Sequence, residues 1–426
     1  MRFSENSIVQ GDCIEVMKSM PDNYVSALIT DPPYGLSNHS EKLVRETLSK
    51  WLSGEEDYIP KGKGFMGKSW DSFVPPPAVW KECFRVMKPG AVILVFAGTR
   101  ASDLMTISLR LAGFEVKDNL MYMYGSGFPK SLDISKAIDK LKGVEREIIG
   151  KGKSGKTAIW QKDGGMGDYP ITVPKTTEAK QWEGYGTALK PAYEPIIMAI
   201  KPNDGGYANN ALKWGVAGLN IDDCRIVTND NLNGGAYSGE GKMKHIADHK
   251  WGFKKRDGQY QQPIGRFPSN VILDEETAKL LDEQSGISKS VRSTRGVQRK
   301  GYSAGVEWER ATEETNTVRG YNDKGGASRF FYCDKASKSE RTANGQIENN
   351  HPTLKPLSLM KYLVKLVNPP ENGLILDPFA GSGSTCVACK MLGVNFIGIE
   401  KEFEYVDIAR KRLELTEKER EQSNLF

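Results

Sequence analysis

The stretch Tyr24-Val-Ser-Ala-Leu-Ile-Thr30, running into Asp31-Pro32-Pro33-Tyr34-Gly35, constrains this chain more than any other. An apolar run this short, partly β-branched and ended by two prolines, reads as a buried strand and not as a helix. A carboxylate, two rigid prolines and an aromatic ring therefore stand at the carboxyl end of a strand. In open α/β sheets that edge is where ligands bind.

Those residue types suit one chemistry well. An exocyclic amino group on a nucleobase is a poor nucleophile, because its lone pair is delocalised into the ring. The Asp31 carboxylate can accept one N–H, and the Pro32 carbonyl, held outward by the Pro-Pro pair, can accept the other. Together they favour a pyramidal nitrogen whose lone pair points at an electrophile. Tyr34 can stack on the base, a contact worth about 1–3 kcal/mol. The task is positioning and electrostatics, with no covalent intermediate required. An ordinary turn after a strand has the same composition, so the far end of the chain has to decide.

There, Leu374-Ile-Leu376 reads as a second buried strand. It runs into Asp377-Pro378-Phe379-Ala380-Gly381-Ser382-Gly383-Ser384-Thr385, then a helix over Cys386–Leu392, then the strand Asn395–Ile399 ending at Glu400. Strand, glycine-rich turn, helix, strand and acidic residue form a nucleoside-binding order. Gly381 and Gly383 let a ligand approach the backbone at a helix N-terminus. Glu400 follows Asp377 by 23 residues, near the ~20 expected for a carboxylate on a ribose. A third glycine is absent, and a ligand without a pyrophosphate does not need one. Cys386 and Cys389, spaced CxxC on that helix, read as small core residues.

The chain between these anchors alternates. A strand is expected over Ser7–Gln10, a helix over Cys13–Met20 and a helix over Pro76–Met87, stopped by Lys88-Pro89-Gly90. A buried strand Ala91–Ala97, a helix Arg100–Leu111, one long strand or a strand pair over Phe114–Tyr124, and a strand Tyr193–Ile200 closing the sheet follow. Residues 36–72 read as a loop beside the site, and Pro356–Val367 as an amphipathic helix. Within 203–330 only Ala211–Val216 and Glu275–Leu281 have predictable structure.

Charge separates the middle from the ends. Residues 141–350 carry 32 Lys and Arg against 27 Asp and Glu, which is the whole net charge of +5, and residues 241–300 hold 13 against 7. Two basic clusters stand out. One contains Lys250, Lys254, Lys255 and Arg256 beside Trp251; the other contains Arg292, Arg295 and Arg299. Basic residues mixed with aromatics suit phosphate contact and base stacking. His245 and His249 lie four apart beside Asp248, but no Glu follows the first His and no third ligand is evident, so no metal is expected. Six scattered cysteines, a polar N-terminus and no apolar run long enough to span a bilayer lead to the expectation of a cytoplasmic protein without membrane contact.

With both anchors in this order, the sequence resembles the β-class DNA amino-methyltransferases of the N6-adenine/N4-cytosine family. The resemblance covers roughly residues 7–35, 85–130, 190–202 and 350–412. Asp31-Pro32-Pro33-Tyr34 is similar to the catalytic motif, and Asp377 to Gly383, continuing through Ser384 and Thr385, to the S-adenosylmethionine loop. Glu400 matches the ribose ligand. Asp12, after Gly11, resembles the residue that meets the cofactor adenine. His351-Pro-Thr353-Leu-Lys355-Pro356 resembles the element beside the cofactor's methionine end. Gly64–Asp71, Gly125–Lys130 and Gly184–Pro195 bear a weaker likeness to versions carried by phages and mobile elements.

The resemblance implies an α/β, circularly permuted Rossmann-like fold: a seven-stranded, mostly parallel sheet with helices on both faces. Residues 1–202 would form the catalytic half, with loop insertions at 36–72 and 131–190. Residues 203–345 would form a target-recognition region, and 346–426 the cofactor half. It implies S-adenosylmethionine as cofactor, double-stranded DNA as partner, and methylation of adenine N6 in a flipped-out base. A homodimer and a cognate restriction endonuclease are further partners that it allows. Cytosine N4 is the alternative target, and a catalytically inactive DNA-binding protein of the same fold is the non-enzymatic alternative. Methylation at cytosine C5 requires a cysteine nucleophile, typically after Pro, and the chain has no Pro-Cys pair.

Overall fold

The computed structural model describes residues 4–36, 39–62, 71–125, 127, 131–152, 169–228, 232, 263–289, 293–294, 300–303, 306–309, 318–319, 324–334, 354–371 and 373–423. Among the described residues, nine strands form one sheet: β1 Ser7–Gln10, β2 Val25–Thr30, β3 Met87–Phe96, β4 Glu115–Met123, β5 Tyr193–Ile200, β6 Val271–Asp274, β7 Tyr332–Asp334, β8 Leu374–Asp377 and β9 Asn395–Glu400. Their spatial order is β1-β9-β8-β2-β3-β5-β4-β6-β7. Every pairing is parallel except the two made by β5, which runs antiparallel to both β3 and β4. The chain starts at one end of the sheet, and its last two strands insert beside the first. The Rossmann-like order is therefore circularly permuted, as expected.

Successive side chains of a strand face opposite layers. Ala27, Ile29, Leu94 and Phe96 pack under the helices Leu357–Val367 and Ser384–Leu392 on one face. Leu28, Ile93 and Val95 pack under Cys13–Lys18, Pro77–Val86 and Ser102–Leu111 on the other. Trp80, Phe96, Leu28 and Ile93 are all fully buried. Each such side chain contributes about 1.5–3 kcal/mol, which makes the sheet a rigid base for its edge.

Four expectations need correction. The sheet has nine strands and not seven, because the short segments Val271–Asp274 and Tyr332–Asp334 of the basic middle extend it beyond β4. Each is too short to give a periodic signal. Tyr193–Ile200 does not close the sheet; it lies inside it, between β3 and β4. Residues 36–72 contain the helix Glu41–Leu52, capped by the Ser40 side chain, so that stretch is not simply a loop. Lys88-Pro89-Gly90 does not lie between elements but belongs to β3 as a bulge, since Val25 pairs with Met87 while Ala27 already pairs with Val92. Gly90 has φ +77°, and a Cβ there would run into Asn210 and Asn203. The breaker signal was real, but it marks a bulge. Phe114–Tyr124 resolves as the single strand β4.

Among the described residues, no helix is long and apolar enough to cross a membrane.

Candidate active site

Parallel strands bring their carboxyl ends to one edge, so Asp31 after β2, Asp377 at the end of β8 and Glu400 at the end of β9 are neighbours. β5 runs the other way and brings its amino end, with Glu194, to the same edge. A cleft of about 360 Å³ opens there, lined by Asp12, Asp31, Pro32, Pro33, Tyr34, Lys355, Asp377, Pro378, Phe379, Gly381, Ser384, Thr385 and Glu400 among others. Of the expected site residues that are described, only Gly383 lies behind the wall. It stands at φ +80° before the helix Ser384–Leu392, and a Cβ on it would meet Ala409 Cβ at 2.9 Å. His351 and Thr353 fall outside the described residues, as do Lys250, Trp251, Lys254, Lys255, Arg256, Arg292, Arg295 and Arg299.

The two halves of the cleft are built differently. In the glycine-turn half, Asp377 ties the sheet to the turn. Its Oδ1 accepts from Thr30 Oγ1 at 2.7 Å and from Phe379 N–H at 3.1 Å, and its Oδ2 accepts from Thr385 Oγ1 at 2.6 Å. Burial pushes its pKa up to about 6, against the pull of those donors. Its carboxylate is committed to its own fold. Behind the turn, the buried Arg412 donates to the Ser382 carbonyl at 2.6 Å and to Ser384 Oγ at 3.2 Å. Glu400 Oε2 accepts from Gly381 N–H and Oε1 from Glu402 N–H, both at 2.8 Å. Burial raises its pKa. Each Glu400 oxygen keeps a lone pair for a further donor. Opposite, Asp12 caps the helix Cys13–Lys18 through Ile14 N–H at 3.1 Å.

The other half is ionic. Tyr34 OH donates to Asp31 Oδ1 at 2.6 Å. Lys355 Nζ lies 2.9 Å from Asp31 Oδ2, 3.0 Å from Tyr34 OH and 3.3 Å from Glu194 Oε2. It also sits over the Tyr34 and Phe96 rings. Burial alone would depress the ammonium, but the Asp31 and Glu194 carboxylates outweigh it and hold its pKa above the ordinary lysine value. Burial first, and Asp31 second, keep the Tyr34 phenol well above its ordinary pKa, so it remains a donor. Behind Tyr34, the buried Asp71 accepts from Gly35 N–H at 2.9 Å and fixes the turn.

Sequence reasoning missed Glu194, Arg412 and Asp71. Glu194 precedes Pro195 at the start of an otherwise apolar strand, and a charge in that position was the available signal. Lys355 was expected beside a cofactor; the structure also joins it to Asp31. Cys386 and Cys389 are buried in the core, as read from the sequence, and burial raises both thiol pKa values.

The residues present fit a nucleoside-bearing cofactor. Glu400 offers paired acceptors for vicinal hydroxyls, Gly381 keeps the turn open, and Ile14, Phe379, Ile399 and Tyr405 give apolar walls. The cleft volume lies in the range of small-molecule sites. The structure thus joins a permuted Rossmann-like sheet, a glycine turn before a helix and an Asp-Pro-Pro-Tyr turn on one edge.

The comparisons make this specific. Residues 25–411 match the N6/N4 DNA methylase family, and the chain belongs to it. It is an S-adenosylmethionine-dependent DNA amino-methyltransferase. Over 423 residues it is 24% identical to the Type II methyltransferase M.HindIII of Haemophilus influenzae, covering 95% of this chain and 94% of that one. A local match of 64 residues is 55% identical to the Type II methyltransferase M2.DpnII of Streptococcus pneumoniae, covering 15% and 24% of the two chains. Among solved structures, the cytosine-N4-specific PvuII DNA methyltransferase aligns at TM-score 0.42 and 13% identity, covering 96% of this chain and 86% of that one. The M1.HpyAVI–SAM complex aligns at TM-score 0.35 and 16% identity, covering 96% and 98%.

Proposed function

We propose that the enzyme methylates adenine at N6 within a specific sequence of double-stranded DNA. The observation that carries this reading is Asp31 at the end of β2, partly exposed in the cleft and fixed by Tyr34 and Lys355. An amino group placed there meets the Asp31 carboxyl as an acceptor, while the Pro32 carbonyl supplies a second. When bound in the adjoining half, S-adenosylmethionine supplies an electrophilic methyl group. Asp12, Glu400 and Phe379 would hold its nucleoside and Lys355 its methionine end, a role His351 and Thr353 would share. The target base reaches the cleft only when turned out of the duplex. Tyr34 would stack on its face. No general base of shifted pKa is needed, because the amine proton leaves after transfer.

The choice of adenine over cytosine rests on Asp31 heading the tetrapeptide. A Ser there is the commoner residue in relatives that act on cytosine N4. The basic residues of 203–345, Lys250 to Arg256 and Arg292 to Arg299, contact phosphates and read the site. A restriction endonuclease of the same specificity is the cognate partner under this reading, and a second copy of the chain would pair two such sites.

Long-read sequencing of DNA from a methylation-free host expressing the protein tests the proposal. N6-methyladenine in one short motif is expected. Methylated cytosine N4 would move the assignment to the other amine.

A further inference from the structure

Lys355 raises a problem of charge that Asp31 alone does not solve. A neutral Asp31–Lys355 pair is a weak acceptor for an amine N–H. As the C–N bond forms and the methyl carbon's bond to sulfur breaks, the amine nitrogen gains a positive charge. It keeps that charge until its proton leaves to water. An ammonium 2.9 Å from the acceptor carboxylate opposes this development. Glu194 answers the problem as a second carboxylate on Lys355, at 3.3 Å. It arrives there only because β5 is antiparallel, with Glu194 paired beside Tyr122 of β4. Pro195 follows and offers no N–H to the ladder.

We infer that Glu194 is a positioning residue for methyl transfer: by sharing Lys355 with Asp31, it keeps the three-residue cluster at one net negative charge facing the target amine. Lys355 then fixes Asp31 without neutralising the site. Among the described residues, the other close neighbours of the ammonium are the Tyr34 hydroxyl and the Tyr34 and Phe96 rings. None of them carries charge. Glu194 needs no contact with the base, because it acts through Lys355. The inference rests on the reading of Asp31 as the amine acceptor and holds for either adenine or cytosine.

The test is a double-mutant cycle with Glu194→Gln and Lys355→Met in the full chain, read by single-turnover methyl transfer at saturating cofactor. Glu194→Gln is expected to lower the rate about ten- to hundredfold, with folding confirmed by thermal melting. The double variant should be no slower than Lys355→Met alone, because Glu194 has nothing to act through once the ammonium is gone. Glu194→Asp, which keeps the charge, should recover most of the loss. A second readout needs no turnover: affinity for recognition-site DNA carrying the natural target base, compared with the analogue lacking its amino group. The preference for the amine should shrink in Glu194→Gln. Wild-type rate and preference in Glu194→Gln would overturn the inference, as would losses that multiply in the double variant or equal losses in the Gln and Asp variants. Absence of DNA methylation by the wild-type enzyme would instead defeat the proposed function.

Discussion

The two halves of the cleft share one sheet edge but are held by different forces. The glycine-turn half is fixed by short, mostly local hydrogen bonds around Asp377 and by a buried guanidinium against the Ser382 carbonyl. The base half is fixed by an ion cluster assembled from residues 31, 194 and 355. Hydrogen bonds to backbone make a shape that does not change with the ligand. A buried ammonium shared by two carboxylates makes a charge that a ligand can draw on. Such a cluster is costly to bury and strongly destabilised when one partner is removed. Under the proposed function, the glycine-turn half, which would take the cofactor, behaves as a mould, and the half around Asp31, which would take the base, as a field.

That difference can be broken experimentally. Asp31→Ala should have the largest effect, lowering methyl transfer by at least about 10²–10³-fold while calorimetry shows cofactor binding within a few-fold of wild type. Comparable loss of cofactor binding would mean that the two halves are not separable. Gly383→Val acts on the mould instead. The residue stands at φ +80° with Ala409 against it, so the variant should lose about 2–4 kcal/mol in denaturant unfolding and bind cofactor weakly.

The pH response sharpens the contrast further. Asp377 has a folded pKa of about 6 against an ordinary 3.8. The folded state thus holds a proton more firmly than the unfolded one. Its contribution to stability is present below the unfolded pKa and falls as pH rises from about 4 to 6, by roughly 3 kcal/mol. Asp377→Asn should flatten that segment of a stability–pH curve measured by chemical denaturation. The smallest effect is expected for Thr30→Val, which removes one donor to Asp377 and should cost about 1–2 kcal/mol with the base half untouched. A larger loss of catalysis than of stability in that variant would show that the halves communicate.

The same contrast explains what could be read in the sequence. Asp377 to Thr385 is contiguous, so its strand, turn and helix announce themselves within one window, and Glu400 follows at a fixed distance. Asp31 to Tyr34 is equally compact. Glu194 and Lys355 carry no local sign of their partnership, because 161 residues separate them and only the antiparallel insertion of β5 brings them together. The outer strands β6 and β7 were hidden for a related reason: four and three residues long, they gain their hydrogen bonds only by docking, β6 on β4 and β7 on β6. Arg412 was hidden because a charge on a terminal helix usually means solvent, and here it supports the turn.

The measurement that tests the account most directly is mass spectrometry of nucleosides released from duplex DNA after incubation with the enzyme and methyl-labelled S-adenosylmethionine, with Asp31→Ala in parallel. The account predicts labelled N6-methyldeoxyadenosine from the wild type and none from the variant. Label on cytosine C5, or equal label with both proteins, would contradict it.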